Sequence, residues 1–239
     1  MAISLVIIAI VKGSRKCRAR RMPRNIAPHF TKAAKLRPIL GHDSVMDSFP
    51  AGDARRAKPI EMRIGLISDT HIPEACEHLP ERVFEVFAGI DLVMHAGDVY
   101  VNRVLDELSR IAPVIAALGN GDEGLDGHRY SLDPDERVRE AHLIEVEGVR
   151  IGLVHAIPTP DETSDEVFAR AMDREFGGPV DVIVQGHSHI EGVMRFGDTM
   201  VINPGSATLP RNLIGVPGTV AILEISNGGQ ISAEIISLA

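Results

Sequence analysis

Tryptophan is absent from the 239 residues, and aromatic side chains make up only 4% of them. A chain so composed is poorly supplied with the stacking platforms that hold single-stranded nucleic acid. Cysteine is scarce too: Cys17 and Cys76 cannot build a disulfide framework and form no Cys-rich metal pattern, which fits a reducing, cytoplasmic setting. The apolar N-terminal stretch MAISLVIIAIV has 11 residues, too few for the ~20 of a membrane span, so no membrane partner is expected. Lysine does not occur after Lys58.

That last absence marks a division. Residues 1–60 hold 13 Lys+Arg against 3 Asp, whereas residues 61–239 hold 12 Arg against 30 acidic residues. A body so acidic is a poor general surface for DNA or RNA, and no stable nucleic-acid complex is expected. Basic residues follow the apolar N-terminus instead of preceding it, the reverse of a secretory signal. Residues 1–61 read as a basic, disordered extension, and a natural start site at Met62 accounts for it best. A targeting segment and a basic arm that meets a partner are the weaker readings. Residues 62–239 read as the working domain.

From Met62 the pattern alternates. Strands are expected at 63–68, 91–97 and 113–120, with amphipathic helices at 79–89 and 101–111 between them. Such an opening implies a parallel sheet with right-handed crossovers. Residues 140–156 then read as a hairpin turning at Glu147-Gly148, and 164–178 as a helix capped by Ser164. Further strands are expected at 181–186, 199–205, 218–225 and 230–238. The fold class is α/β: two mixed parallel/antiparallel sheets packed face to face, with helices outside.

Function in α/β sheets gathers in loops at the carboxyl ends of strands. Those ends read SDTH (68–71), HAGD (95–98), GNGD (119–122), VHA (154–156) and GHSH (186–189). In the last, strand alternation would put His187 and His189 on one side, able to reach different members of a close metal pair. One such ending would be an ordinary turn or cap. Together they deliver Asp69, His71, Asp98, Asn120, His155, His187 and His189. Seven donors are too many for one tetrahedral ion and suit two ions sharing a carboxylate. Nitrogen and oxygen donors without sulfur suit divalent transition metals, with manganese, iron, nickel, cobalt and zinc all plausible; two such ions are expected, and manganese is the one favoured.

These residues, as D-x-H, G-D, G-N, H and G-H-x-H in that order, resemble the calcineurin-like metallophosphoesterase superfamily over residues 62–239. The short linkers and NPGS (203–206) look like its compact bacterial and archaeal phosphodiesterase branch. The resemblance implies a four-layer α-β-β-α sandwich. It assigns Asp69, His71, Asp98 and His189 to one metal and Asp98, Asn120, His155 and His187 to the other, with Asp98 bridging. It also implies hydrolysis of small phosphodiesters by in-line attack of a metal-bridging hydroxide, with Asp98, Asn120 and His155 as catalytic residues. Asn120 and Asn203 are the expected substrate contacts. Many relatives read G-N-H-[DE], whose histidine helps protonate the leaving group. Gly121 stands there instead, which points to diesters, or esters with good leaving groups, or to a proton from another histidine or water. Ala156-Ile157 also departs from the family's G-H at that place.

Phosphomonoester hydrolysis, a nuclease and a non-catalytic scaffold on the same fold are the rival readings; intact ligand positions weigh against the scaffold. A homo-oligomer is left open. Ser206 reads as part of a structural turn, His95 as packing or support behind the site, and Arg211 as an ordinary surface cation. His78, His128 and His142 read as surface residues.

Overall fold

Single-residue alternation decides which side of each sheet is buried against what. Val182 and Val184 enter the core between the two sheets, while Ile183 faces the opposite way into a helix-covered core. The computed structural model describes residues 6–8, 60–123 and 132–239. The rest of the 1–61 extension, and His128 with it, lies outside the described residues.

In chain order the elements are β1 (Val6–Ile8), β2 (Ile60–Ile67), α1 (Glu81–Val86), β3 (Leu92–His95), α2 (Asn102–Leu108), β4 (Val114–Ala117) and β5 (Val138–Arg139). Then come β6 (Ala141–Val146), β7 (Val149–Val154), α3 (Asp165–Phe176), β8 (Val182–Val184), β9 (Gly192–Phe196), β10 (Thr199–Asn203), β11 (Thr219–Ser226) and β12 (Gln230–Ser237). One sheet has the order β12-β11-β2-β3-β4-β5, the other β1-β6-β7-β8-β10-β9. Within the first, β2 to β5 run parallel, and β11 pairs antiparallel with both β2 and β12. Within the second, β7, β8 and β10 are parallel, flanked by antiparallel β6 and β9.

Between the sheets lie Ile64, Leu66 and Met94 from one and Ile151, Leu153 and Ile202 from the other. Val83 and Phe87 at α1, with Leu105 and Leu108 of α2, cover the outer face of the first sheet. Phe168, Met172 and Phe176 of α3 cover the second. The expected four-layer α/β architecture is therefore the observed one. Local chemistry explains the boundaries. Ser164 Oγ accepts the Val167 N–H at the start of α3, and Gly177 ends it at φ 74°. Glu147 and Gly148, at φ 51° and 78°, turn the β6–β7 hairpin where expected.

Three strands escape sequence reading because each is short or sits on an edge. β9 has five residues that alternate between half-buried and exposed, β5 has two, and β1 has three, paired antiparallel to β6. His142, expected on the surface, is buried instead: its Nε2–H donates to Ala116 O at 2.9 Å, tying β6 of one sheet to β4 of the other. Its place on the inward side of an alternating strand, among apolar neighbours, is what the surface reading missed. His78 is exposed, as expected.

Burial, with Arg139 nearby, pushes the His142 imidazole down to about 4 from 6.5. A depressed histidine binds its proton first in the unfolded chain, so stability falls as pH drops from 6.5 through about 4. The full loss is on the order of 3 kcal/mol. Urea unfolding at the two ends of this window should show His142→Gln losing measurably less stability on acidification than the parent. Equal losses would contradict the assignment.

Candidate metal centre

Five strands end in loops that converge on one place. β2 leads to Asp69 and His71, β3 to Asp98, and β4 to Asn120; from the facing sheet, β7 leads to His155 and β8 to His187 and His189. All seven side chains expected at the site are brought together. Asp69, His71, Asp98 and His189 form a buried group whose ligand atoms lie within 4.8 Å of one another, a cluster capable of binding a metal ion. Within it, His71 Nε2 is 3.0 Å from His189 Nε2 and 3.6 Å from Asp98 Oδ2, and His189 Nε2 is 3.5 Å from Asp69 Oδ1.

A second convergence adjoins it. Asn120 Oδ1 is 3.0 Å from both His155 Nε2 and His187 Nδ1, and those ring nitrogens are 3.2 Å apart. Asp98 belongs to both groups: Oδ2 faces His71, and Oδ1 lies 3.6 Å from His155 Nε2.

The donor chemistry suits cations. His155 Nδ1–H donates to Ala96 O at 2.7 Å and His189 Nδ1–H to Leu209 O at 3.1 Å, which leaves the Nε2 lone pair of each neutral ring turned inward. Burial pushes both histidines below their ordinary range, favouring the neutral, ligating form. The His155 lone pair then meets the Asn120 carbonyl oxygen at 3.0 Å. Two acceptors so placed repel unless positive charge lies among them. Burial also raises Asp69 well above the usual carboxylate range, the expected state of a desolvated acid.

Backbone strain concentrates here. Asp69, His71, Asp98, His187 and His189 all have φ between 44° and 71°, a region non-glycine residues enter at a cost of ~1–3 kcal/mol each. β8 has already ended at Val184, so His187 and His189 do not share a strand face. The expectation of strand alternation is corrected: left-handed residues in a loop turn each ring to a different group.

What holds the strained loops was only partly readable. Asp122, which sequence reasoning passed over, accepts four backbone N–H groups: Asp98 and Gly119 at Oδ2, Val99 and Tyr100 at Oδ1, at 2.8–3.0 Å. It clamps the loop carrying Asp98 to the loop carrying Asn120, and burial pushes it up to about 6 despite those donors. The acid was visible in GNGD; its four partners were not. Gly119 is required beside it, because a Cβ there would strike the Asp98 carboxylate. Ser206 and Thr208 donate to Asp69 O and Thr70 O, each at 2.6 Å. Asn203, expected beside substrate, spends its amide on Gly186 O, Ser188 Oγ and Gly205 N–H, supporting the histidine loop. His95 lies fully buried behind the site, with Nε2 3.1 Å from Thr70 Oγ1. Arg211 pairs with Glu191 at 2.6 Å.

The clamp carries a prediction. Asp122→Asn offers one oxygen to four donors and should cost ~2 kcal/mol or more. It should also weaken retention of an added divalent metal ion; urea unfolding and metal analysis after gel filtration check both. Unchanged stability and metal content would refute the clamp.

Comparison with known proteins agrees with the geometry. The calcineurin-like phosphoesterase superfamily domain model matches residues 62–228. A probable metallophosphoesterase of Methanothermobacter thermautotrophicus is 37% identical over 175 residues, spanning 73% of this chain and 92% of that protein. A phosphodiesterase of Methanocaldococcus jannaschii is 29% identical, over 68% of this chain and 93% of that one. Among solved structures, vacuolar protein sorting 29 of Cryptosporidium parvum superposes with a TM-score of 0.55 at 20% identity, covering 75% of this chain and all of the other. Two converging Asp/His groups at the carboxyl ends of two packed sheets, a domain model spanning them and an archaeal relative matched over 92% of its own length lead to one conclusion: the chain belongs to the calcineurin-like phosphoesterase superfamily.

Proposed function

We propose that the protein is a phosphodiesterase that uses two divalent transition-metal ions, manganese first among them, to hydrolyse small phosphodiesters in the cytoplasm. The carrying observation is the Asp98 carboxylate, which turns one oxygen toward each donor group. Asp69, His71, Asp98 and His189 would hold one ion; Asp98, Asn120, His155 and His187 would hold the other. When bound, such a pair supplies a nucleophilic hydroxide at neutral pH and offsets charge on phosphoryl oxygens.

The chain's own residues do the positioning. Gly121 N–H donates to Asp98 Oδ1 at 2.8 Å, and His187 N–H contacts both oxygens of Asp69 at 3.0 Å, so neither carboxylate is free to rotate. Asn120 and His155 set the edge of the second group, where substrate phosphate would arrive. The archaeal phosphodiesterase relative supports the choice of diester. Residues 62–239 are proposed as the working domain and 1–61 as an extension, with β2 beginning slightly earlier, at Ile60.

Turnover of bis(p-nitrophenyl) phosphate with added manganese tests the reading. The wild type should hydrolyse this diester faster than p-nitrophenyl phosphate, and Asp98→Ala should reduce turnover to background. A faster monoester reaction would favour a phosphomonoesterase; metal retention without turnover of either ester would favour a scaffold.

A further inference from the structure

Tyr100 has no part in either donor group, yet it shares their peculiarities. It is buried to the same depth, 4% exposed, as Asp98. It is held at φ 76°, the same costly left-handed region as five of the seven expected ligands. Of the other three non-glycine residues at positive φ among the described residues, Glu147 turns a hairpin and Arg211 and Asn212 form the short turn at Pro210–Asn212. The Tyr100 N–H is one of the four bound by Asp122, and its ring packs edge-on against His71 with centroids 4.6 Å apart. The chain thus strains its backbone to place a phenol beside the centre.

Position 121 shows where that phenol stands. A Cβ built on Gly121 would collide with Tyr100 Cε1 and come within 3.0 Å of its hydroxyl and 3.1 Å of Asp98 Oδ1. Tyr100 therefore fills the space that a side chain at 121 would occupy, between Asn120 and Asp122 and next to the Asp98 oxygen that faces His155. A histidine at 121 has no room. The hydroxyl thus stands near the Asp98 oxygen that faces His155, on the side of the proposed second group.

We propose that Tyr100 is a substrate-contacting residue whose hydroxyl donates a hydrogen bond to a phosphoryl oxygen of the bound ester. This rests on the dinuclear reading, since that places the phosphate. A hydrogen bond to a charged oxygen is worth enough to change affinity about tenfold or more when removed.

Tyr100→Phe keeps the ring against His71 and over Gly121 and removes only the oxygen. Wild type and variant, both full-length and loaded with manganese, are compared by calorimetric titration with inorganic phosphate and by kcat/KM for bis(p-nitrophenyl) phosphate. Metal content should be unchanged, while phosphate affinity and kcat/KM each fall about tenfold or more. A purely structural tyrosine would leave phosphate affinity unmoved. Equal phosphate affinity in the two proteins overturns the inference while leaving the two-metal reading standing. A wild type that retains no manganese overturns that reading and the inference with it.

Discussion

The Asp98 carboxylate is asked to face two ways at once, and much of the local structure exists to keep it there. One oxygen looks toward His71 and the other toward His155, each at 3.6 Å. A side chain free to rotate would serve one group at the expense of the other. Its own backbone sits at φ 56°, its N–H is bound by Asp122, and Gly121 donates to one of its oxygens. Gly119 leaves no Cβ in its way. Remove these supports and the two donor groups lose their common member.

That constraint explains why the costs cluster where they do. Left-handed backbone at five expected ligands, lone pairs turned toward one another and desolvated carboxylates all oppose folding when taken singly. They persist because two apolar cores and an inter-sheet core over-determine the strands that lead into the loops. Side-chain hydrogen bonds from Ser206, Thr208 and Asn203 then fix the loops themselves. A cation in each group would turn the repulsion of converging acceptors into attraction, so the same geometry that is a liability without metal is a binding site with it.

Much of this was legible in the sequence, and the exceptions have physical causes. The strand ends could be read because buried parallel strands are apolar runs that stop abruptly, and Asp98 or His187 stands within three residues of the stop. β9 could not, because an edge strand that alternates half-buried with exposed residues resembles a loop. His142 was misjudged because a lone histidine on a strand gives no sign that a carbonyl of the other sheet waits for it. Asp122 was overlooked for a related reason: its part depends on partners in a neighbouring loop, and single-chain spacing carries no record of them. His187 and His189 do come together with the other expected ligands, but a loop and not a strand presents them.

The proposed placement of Asp98 between two cation sites can be seen in crystals of the full-length protein grown with manganese and measured at the manganese absorption edge. Two anomalous peaks are expected, one on each side of the Asp98 carboxylate, the first beside His71 and His189 and the second beside His155 and His187. A single peak, or two peaks of which neither contacts Asp98, would contradict it.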